Sequence, residues 1–314
     1  MTLTNGDRIT GEITKLEAGL LEFKTDTMGT VSIEWRFIDN IESDKSQMIE
    51  MLDGTRLLGQ LQKPNVGHDV LVRSETGNIE VPPEEVVSVW PVKATFKDRM
   101  DIDLSMGLDY SKSTSIGGLN AAVDFRLRGE DRLTEAMLRS NLIRQTGTDD
   151  LSRYQLDGFH EYLLPNQRFR NWFAGIESND ALGVDLRLSI GAGFGKYLIK
   201  SNSEWFTIQG GLAMTQENPE KSDSETNVEA VANVRYRYFR FADPERSLDT
   251  SLSVFPSLTD GGRVRADFQT TFKLELIQDM FWAMEFYANY DNEPQSLDSE
   301  EFDYGIVTSV GWSY

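Results

Sequence analysis

From Met100 onward the chain alternates apolar and polar residues in about twelve stretches of roughly 11–15 residues, where strands of ordinary globular sheets run to about 5–6. The tenth stretch is the clearest. Arg263, Arg265, Asp267, Gln269, Thr271, Lys273 and Glu275 fall on one parity, and Val264, Ala266, Phe268, Thr270, Phe272, Leu274 and Leu276 on the other. The eighth sets Asn227, Glu229, Asn233, Arg235 and Arg237 against Val228, Ala230, Ala232, Val234, Tyr236 and Tyr238. The second sets Asp124, Arg126 and Arg128 against Val123, Phe125 and Leu127. Strands of this length with one charged face suit a closed antiparallel barrel whose apolar parity meets lipid and whose polar parity meets a lumen, because closure leaves no unpaired edge in hydrocarbon. A soluble sandwich would have to bury the apolar faces of two sheets of the same height against each other, and it stands as the alternative.

The intervals between stretches agree with a membrane barrel. If the chain enters from the periplasm, even intervals are periplasmic, and they are short: RGED, LPNQ, IKSN, ADPE and IQD. The two longest intervals, at 217–225 and 291–301, are odd and therefore external. Mean hydropathy is only −0.41 and no run of 18 apolar residues occurs, which excludes a transmembrane helix and leaves a barrel open. Trp312, Tyr314, Tyr236, Tyr238, Phe272 and Trp282 lie on the apolar parity near strand ends, where interfacial girdles belong. The net charge of −20 opposes nucleic-acid binding, and the absence of cysteine removes disulfides and thiolate chemistry. The opening MTLTNGDRIT has no secretory signal, so an exported chain would have had its leader removed, with Met1 an expression start.

Ahead of the barrel, residues 3–41 and 51–89 align without a gap at an offset of 48, LTNGDRITGEI against MLDGTRLLGQL. Asn5-Gly6 and Asp53-Gly54 mark tight turns, and Gly29 and Gly77 a second one. The expected organisation is a tandem-repeat small β-module of the SH3/Sm-like kind, with units at 1–48 and 49–94, followed by a barrel over 95–314. The two units should pack together, as units this small bury little surface alone. His68 reads as a surface histidine, and the module either as a structural plug or spacer or as a module for a ligand or for a periplasmic partner of residues 1–94.

The expected lumen carries Asp124, Arg126, Arg128, Arg139, Arg187, Glu229, Arg235, Arg237, Arg263, Arg265, Asp267, Lys273 and Glu275, with Asp103, Glu135, Asp157 and Asp185 on the same parity. Arginines spaced by two could form a track for anionic solutes. Equally, near-equal numbers of carboxylates would pair with them across a narrow lumen, since an unpaired confined charge is costly. Gly191, Gly193 and Gly195 share one strand face, leaving space for long side chains across the barrel, and no helix follows as a nucleotide loop requires. The acidic intervals at 217–225 and 291–301 lack the ligand spacing of a calcium loop and read as solvated. His160 shares its face with Tyr154, Leu156 and Tyr162 and has no serine at matching height, so a lipid hydrolase is a remote alternative. No enzyme activity, metal or cofactor is expected.

These stretches, with the terminal GIVTSVGWSY, resemble the salt-induced outer-membrane protein family, also described as domain of unknown function 481, over roughly residues 95–314. The resemblance implies an outer-membrane barrel of about this size in a Gram-negative bacterium. The terminal segment is similar to the recognition signal of the barrel-assembly machinery, carried here by Tyr304, Ile306, Val310, Trp312 and Tyr314. The last strand should then close on the first, near 101–110. The implied partners are outer-membrane lipid and that machinery during biogenesis. Two functions stay open: a narrow channel for small polar or anionic solutes, and a closed structural or partner-docking component of the envelope.

Overall fold

The computed structural model of the chain describes residues 1–64, 69–74, 77–92, 99–111, 116–129, 131–145, 150–180, 183–219, 224–241, 244–277, 280–294 and 300–313. His68, Tyr314 and parts of the two acidic intervals fall outside these residues.

The front of the chain supplies ten short strands: β1 (Thr2–Leu3), β2 (Glu12–Glu17), β3 (Leu20–Thr25), β4 (Gly29–Glu34), β5 (Ile38–Asn40), β6 (Ser43–Met51), β7 (Arg56–Gln62), β8 (Val70–Ser74), β9 (Gly77–Val81) and β10 (Val86–Pro91). Eight of them join one sheet in the order β4-β3-β2-β10-β6-β7-β8-β9, and β1 pairs with β5. The two halves therefore share a sheet instead of forming two barrels side by side. They also share one core, in which Leu16, Leu21 and Phe23 meet Ile49, Leu61, Val72 and Val86. Trp35 of the first half donates its indole N–H to the Pro83 carbonyl of the second at 2.8 Å. Gly6 and Gly54 have φ of +90° and +83°, the left-handed turn conformation their positions after Asn5 and Asp53 called for.

The remaining twelve strands form a closed ring. They are β11 (Met100–Ser111), β12 (Ile116–Arg128), β13 (Arg132–Gln145), β14 (Leu151–Leu163), β15 (Arg168–Asn179), β16 (Val184–Lys200), β17 (Glu204–Pro219), β18 (Glu225–Arg240), β19 (Arg246–Pro256), β20 (Val264–Ile277), β21 (Met280–Asp291) and β22 (Phe302–Ser313). Each pairs antiparallel with the next, and β22 closes on β11 through Leu104 opposite Trp312 and Met106 opposite Val310. The ring displaces the two-sheet sandwich. Its outer face is apolar and uncovered: Leu108 is 79% exposed, Ile306 and Phe194 71% and Tyr304 64%. Such a band is tolerable only against lipid. Short turns join strands at the end bearing the module. The β14–β15 turn does so with Asn166 and Gln167 both left-handed, at φ of 59° and 57°, as a tight hairpin of matching twist requires.

The module sits directly on that end. Its Ala18-Gly19 turn meets the β16–β17 turn so closely that a Cβ on Gly19 would lie 2.4 Å from the Asn202 carbonyl oxygen. A Cβ on Gly54 would lie 2.7 Å from the Gln167 backbone nitrogen. Asn202 donates to the Val86 carbonyl at 2.9 Å, and Gln167 donates to the Leu52 carbonyl.

Candidate functional site

Period-two alternation aims every second side chain of the ring inward, so the lumen is where charges from distant strands meet. At the end away from the module the lumen wall carries one ion-pair network. Arg187 donates to Glu217 and to Glu177, each at 2.7 Å. Arg263 donates to Glu217 at 2.8 Å and to Asp291 at 2.6 Å. Arg265 donates to both oxygens of Glu229 at 2.9 and 2.7 Å, and the Thr215 hydroxyl donates to Glu229 at 2.7 Å. The side chains of Arg187, Arg263, Arg265, Glu217, Glu229 and Asp291 are at most 5% exposed. Guanidinium forks engaged by carboxylates in this way have their charge compensated on the spot, which weakens their pull on a passing anion.

Nearer the module a second network spans β12, β13, β18 and β19. Arg235 donates to Glu135 at 2.9 Å and to Asp249 at 2.6 Å, and Arg237 donates to Glu135 at 2.8 Å. Arg139 donates to Asp124 at 2.7 Å and reaches Glu285 at 3.3 Å. Lys273 bonds Asp103 and lies 3.8 Å from Asp124, so it stands between two carboxylates that face each other across β11 and β12. A chamber of about 1340 Å³ runs from Arg187 and Arg265 past the second network to the module, with Asp157, Asp267, Gln209 and Glu275 on its wall and Lys15 and Thr30 of the module at its rim.

The wall contains residues that parity counting missed. The sequence places Glu217 and Asp291 in solvated external intervals, yet β17 runs past the first and β21 reaches the second, and they stand directly opposite Arg187 and Arg265 in the ladder. The usable signal was the unbroken alternation of Ala213, Thr215 and Glu217. Asp185 is a correction of the opposite kind. The β15–β16 and β16–β17 ladders shift register around Val184, and Asp185 is exposed while Arg187 is buried. The glycines of β16 make room, but for side chains of the adjacent strand, not of the far wall. Phe173 is paired with Gly191 and Phe169 with Gly195, and a Cβ on either glycine would come within 2.2 Å of the ring opposite.

Arg126 and Arg128 of the expected lumen set face the module. Arg126 donates to Glu17 at 3.2 Å, and Arg128 and Lys200 donate to Glu50 at 2.9 and 2.8 Å. Burial alone would raise the Glu50 carboxyl, but the charges of Lys200 and Arg128 more than offset it and hold the group at about 2. Glu17 is held down in the same way by Arg126 and Arg128 against its own burial. Beside them Phe169, Tyr197, Trp205 and Phe239 stack edge to face inside the mouth, with Ala18 of the module packed against the cluster. His160 is in neither group. Its ring shares a hydrogen bond of 2.8 Å with the Thr134 hydroxyl and packs edge-on against Tyr162.

A family model described as "Protein of unknown function, DUF481" matches residues 97–314. No curated protein matches the sequence. Among solved structures, one described as "NanC porin structure in rhombohedral crystal form" aligns at 10% identity and a TM-score of 0.41, over 68% of this chain and 98% of that one. A "Bacterial polysaccharide outer membrane secretin" aligns at 8% identity and a TM-score of 0.35, over 69% of this chain and 97% of that one. The β-domain of the Bordetella autotransporter Brka aligns at 8% and 0.33, over 68% and 97%.

Proposed function

The chain belongs to the family described as Protein of unknown function, DUF481, whose description carries no activity, and from that premise we propose that it is a closed, ion-paired barrel of the Gram-negative outer membrane with its module in the periplasm. Its role is structural or partner-docking and not that of an open channel for anions. The observation that carries this reading is the buried network of Arg187, Arg263 and Arg265 with Glu217, Glu229 and Asp291. Ions crossing there would have to break charge-assisted pairs held in a confined, poorly solvated space.

Orientation rests on the short turns and the module lying at one end, as bacterial barrels place short turns in the periplasm. The module is, on this reading, a tandem duplication. Its two three-residue helical turns, Trp35–Phe37 and Pro83–Glu85, begin 48 residues apart, the offset at which the sequences align. This reading assigns no catalytic role: the carboxylates of the networks serve as counter-ions, and His160 is engaged by Thr134 and Tyr162.

Planar-bilayer recording of the purified full chain tests the reading. It predicts silence from the unmodified protein, and conductance steps from an Arg187→Ala, Glu217→Ala, Arg263→Ala variant that still folds as judged by heat-modifiable migration. Stable unitary steps from the unmodified chain would sink it.

A further inference from the structure

Three cations at the module-end mouth differ from the rest of the lumen in the origin of their partners. Among the described residues, Lys200 pairs only with Glu50, and Arg128 only with Glu50 and Glu17, both carboxylates belonging to the module. Arg126 takes Glu17 at 3.2 Å and one barrel carboxylate, Glu135, at 3.5 Å. The two module carboxylates come from β2 and β6, which flank β10 in the sheet, so one face of the module delivers both. The Glu50 and Lys200 side chains are 4% and 2% exposed. Around them the mouth is lined by aromatic faces: Arg126 lies 5.0 Å over Trp205, and Lys200 lies 4.8 Å over Tyr197.

We propose that the mouth of the barrel is a binding site for a compact dianion, occupied in this structure by Glu17 and Glu50 of the chain's own module, so that an external dianion and the docked module compete for Arg126, Arg128 and Lys200. If the module lifts, Arg128 and Lys200 lose every carboxylate they have here, and uncompensated cations beside an apolar aromatic cluster are costly. A dianion of phosphate-like size restores the charge balance and is bound only in the lifted state, so it shifts the population toward that state. Among the described residues the module is also held by Asn202 to Val86, Gln167 to Leu52, Arg56 to Leu163 at 3.5 Å, Lys15 to Asp101, Arg128 over the Trp90 ring and the packing of Ala18. Lifting also uncovers the 1340 Å³ chamber, at whose rim Lys15 and Thr30 lie. The inference does not depend on whether the lumen conducts.

The chain contains no cysteine, so a single introduced thiol reports on one place. Ala18→Cys puts a thiol beneath the docked module, against Phe169 and Trp205, and Val72→Cys puts one in the module's own core. Maleimide labelling of the folded, detergent-solubilised full chain is compared in inorganic phosphate and in chloride at equal ionic strength. Labelling of Ala18→Cys should accelerate about tenfold once phosphate reaches about ten times its dissociation constant for the lifted state. Val72→Cys should stay slow in both salts. Adding Glu17→Gln and Glu50→Gln to Ala18→Cys should make labelling fast in either anion. Equal slow rates for Ala18→Cys in phosphate and chloride would overturn the proposal, as would parallel acceleration of Val72→Cys, which would mean the module unfolds and does not lift.

Discussion

Glu50→Gln is the most informative single change, because it removes one charge and almost no volume from a carboxylate that faces Lys200 and Arg128 and, at 3.9 Å, Arg56. In the folded chain Glu50 titrates at about 2 against an ordinary 4.5. At about 1.4 kcal/mol per pH unit, that difference is about 3 kcal/mol of module stability. Because the folded value is depressed, the contribution is complete above pH 4.5 and declines as the pH falls from there toward 2. The assay is urea unfolding of the full chain in detergent, followed by the emission of the two buried module tryptophans, Trp35 and Trp90, while the barrel stays folded. With a slope of about 1–3 kcal/mol per molar for a unit of this size, Glu50→Gln should lower the midpoint by about 1–3 M at pH 7. Other carboxylates also titrate in acid, so the diagnostic quantity is the gap between the two proteins, which should close as pH drops through the same window. Equal midpoints at pH 7, or a gap that persists undiminished at pH 2.5, would refute the ion-pair account of docking.

Glu217→Gln leaves Arg187 and Arg263 short of a counter-ion at 2.7 and 2.8 Å, and breaking a buried pair of this kind costs about 3–5 kcal/mol, measurable as a lower melting temperature of the heat-modifiable band. Gly191→Ala would put a Cβ 2.1 Å from the Phe173 ring and 2.6 Å from the Leu212 carbonyl oxygen, an overpacking cost of about 1–3 kcal/mol read in the same melt. Gly54→Ala and Gly6→Ala share backbone strain at φ of +83° and +90°, but only Gly54 meets the barrel, so only Gly54→Ala should speed labelling of Ala18→Cys. Deleting 312–314 removes Trp312, which pairs with Leu104 at the closing seam, and should reduce the yield of folded barrel in membranes; normal insertion would count against that seam.

Strand number, strand length and the inward or outward aim of most side chains were legible in the sequence, because a period of two is set by backbone geometry and survives any arrangement of neighbours. Val264 to Leu276 lie on the alternating faces their sequence implies, and the closing pairs of β22 with β11 follow from the need to leave no edge in lipid. Alternation fails where register shifts. Asp185 falls at such a place, and no local pattern marks it. It also cannot say where a strand stops, so the pattern leaves Glu217 and Asp291 in the intervals although they neutralise three arginines of the wall.

The choice between an arginine track and a closed lumen depended on distances between residues 28 to 46 positions apart, such as Arg263 to Asp291 and to Glu217. Composition supplies the charges; only ring closure and strand stagger decide which meet. The same holds for the front of the chain. Its strands and turn glycines were visible residue by residue, but the sharing of one eight-stranded sheet, and the placement of Glu17 and Glu50 against Arg126, Arg128 and Lys200, arise from docking between surfaces up to 150 residues apart. Sequence periodicity fixes which way a side chain points. Tertiary structure fixes what it finds there, because a partner's identity is a property of the other strand.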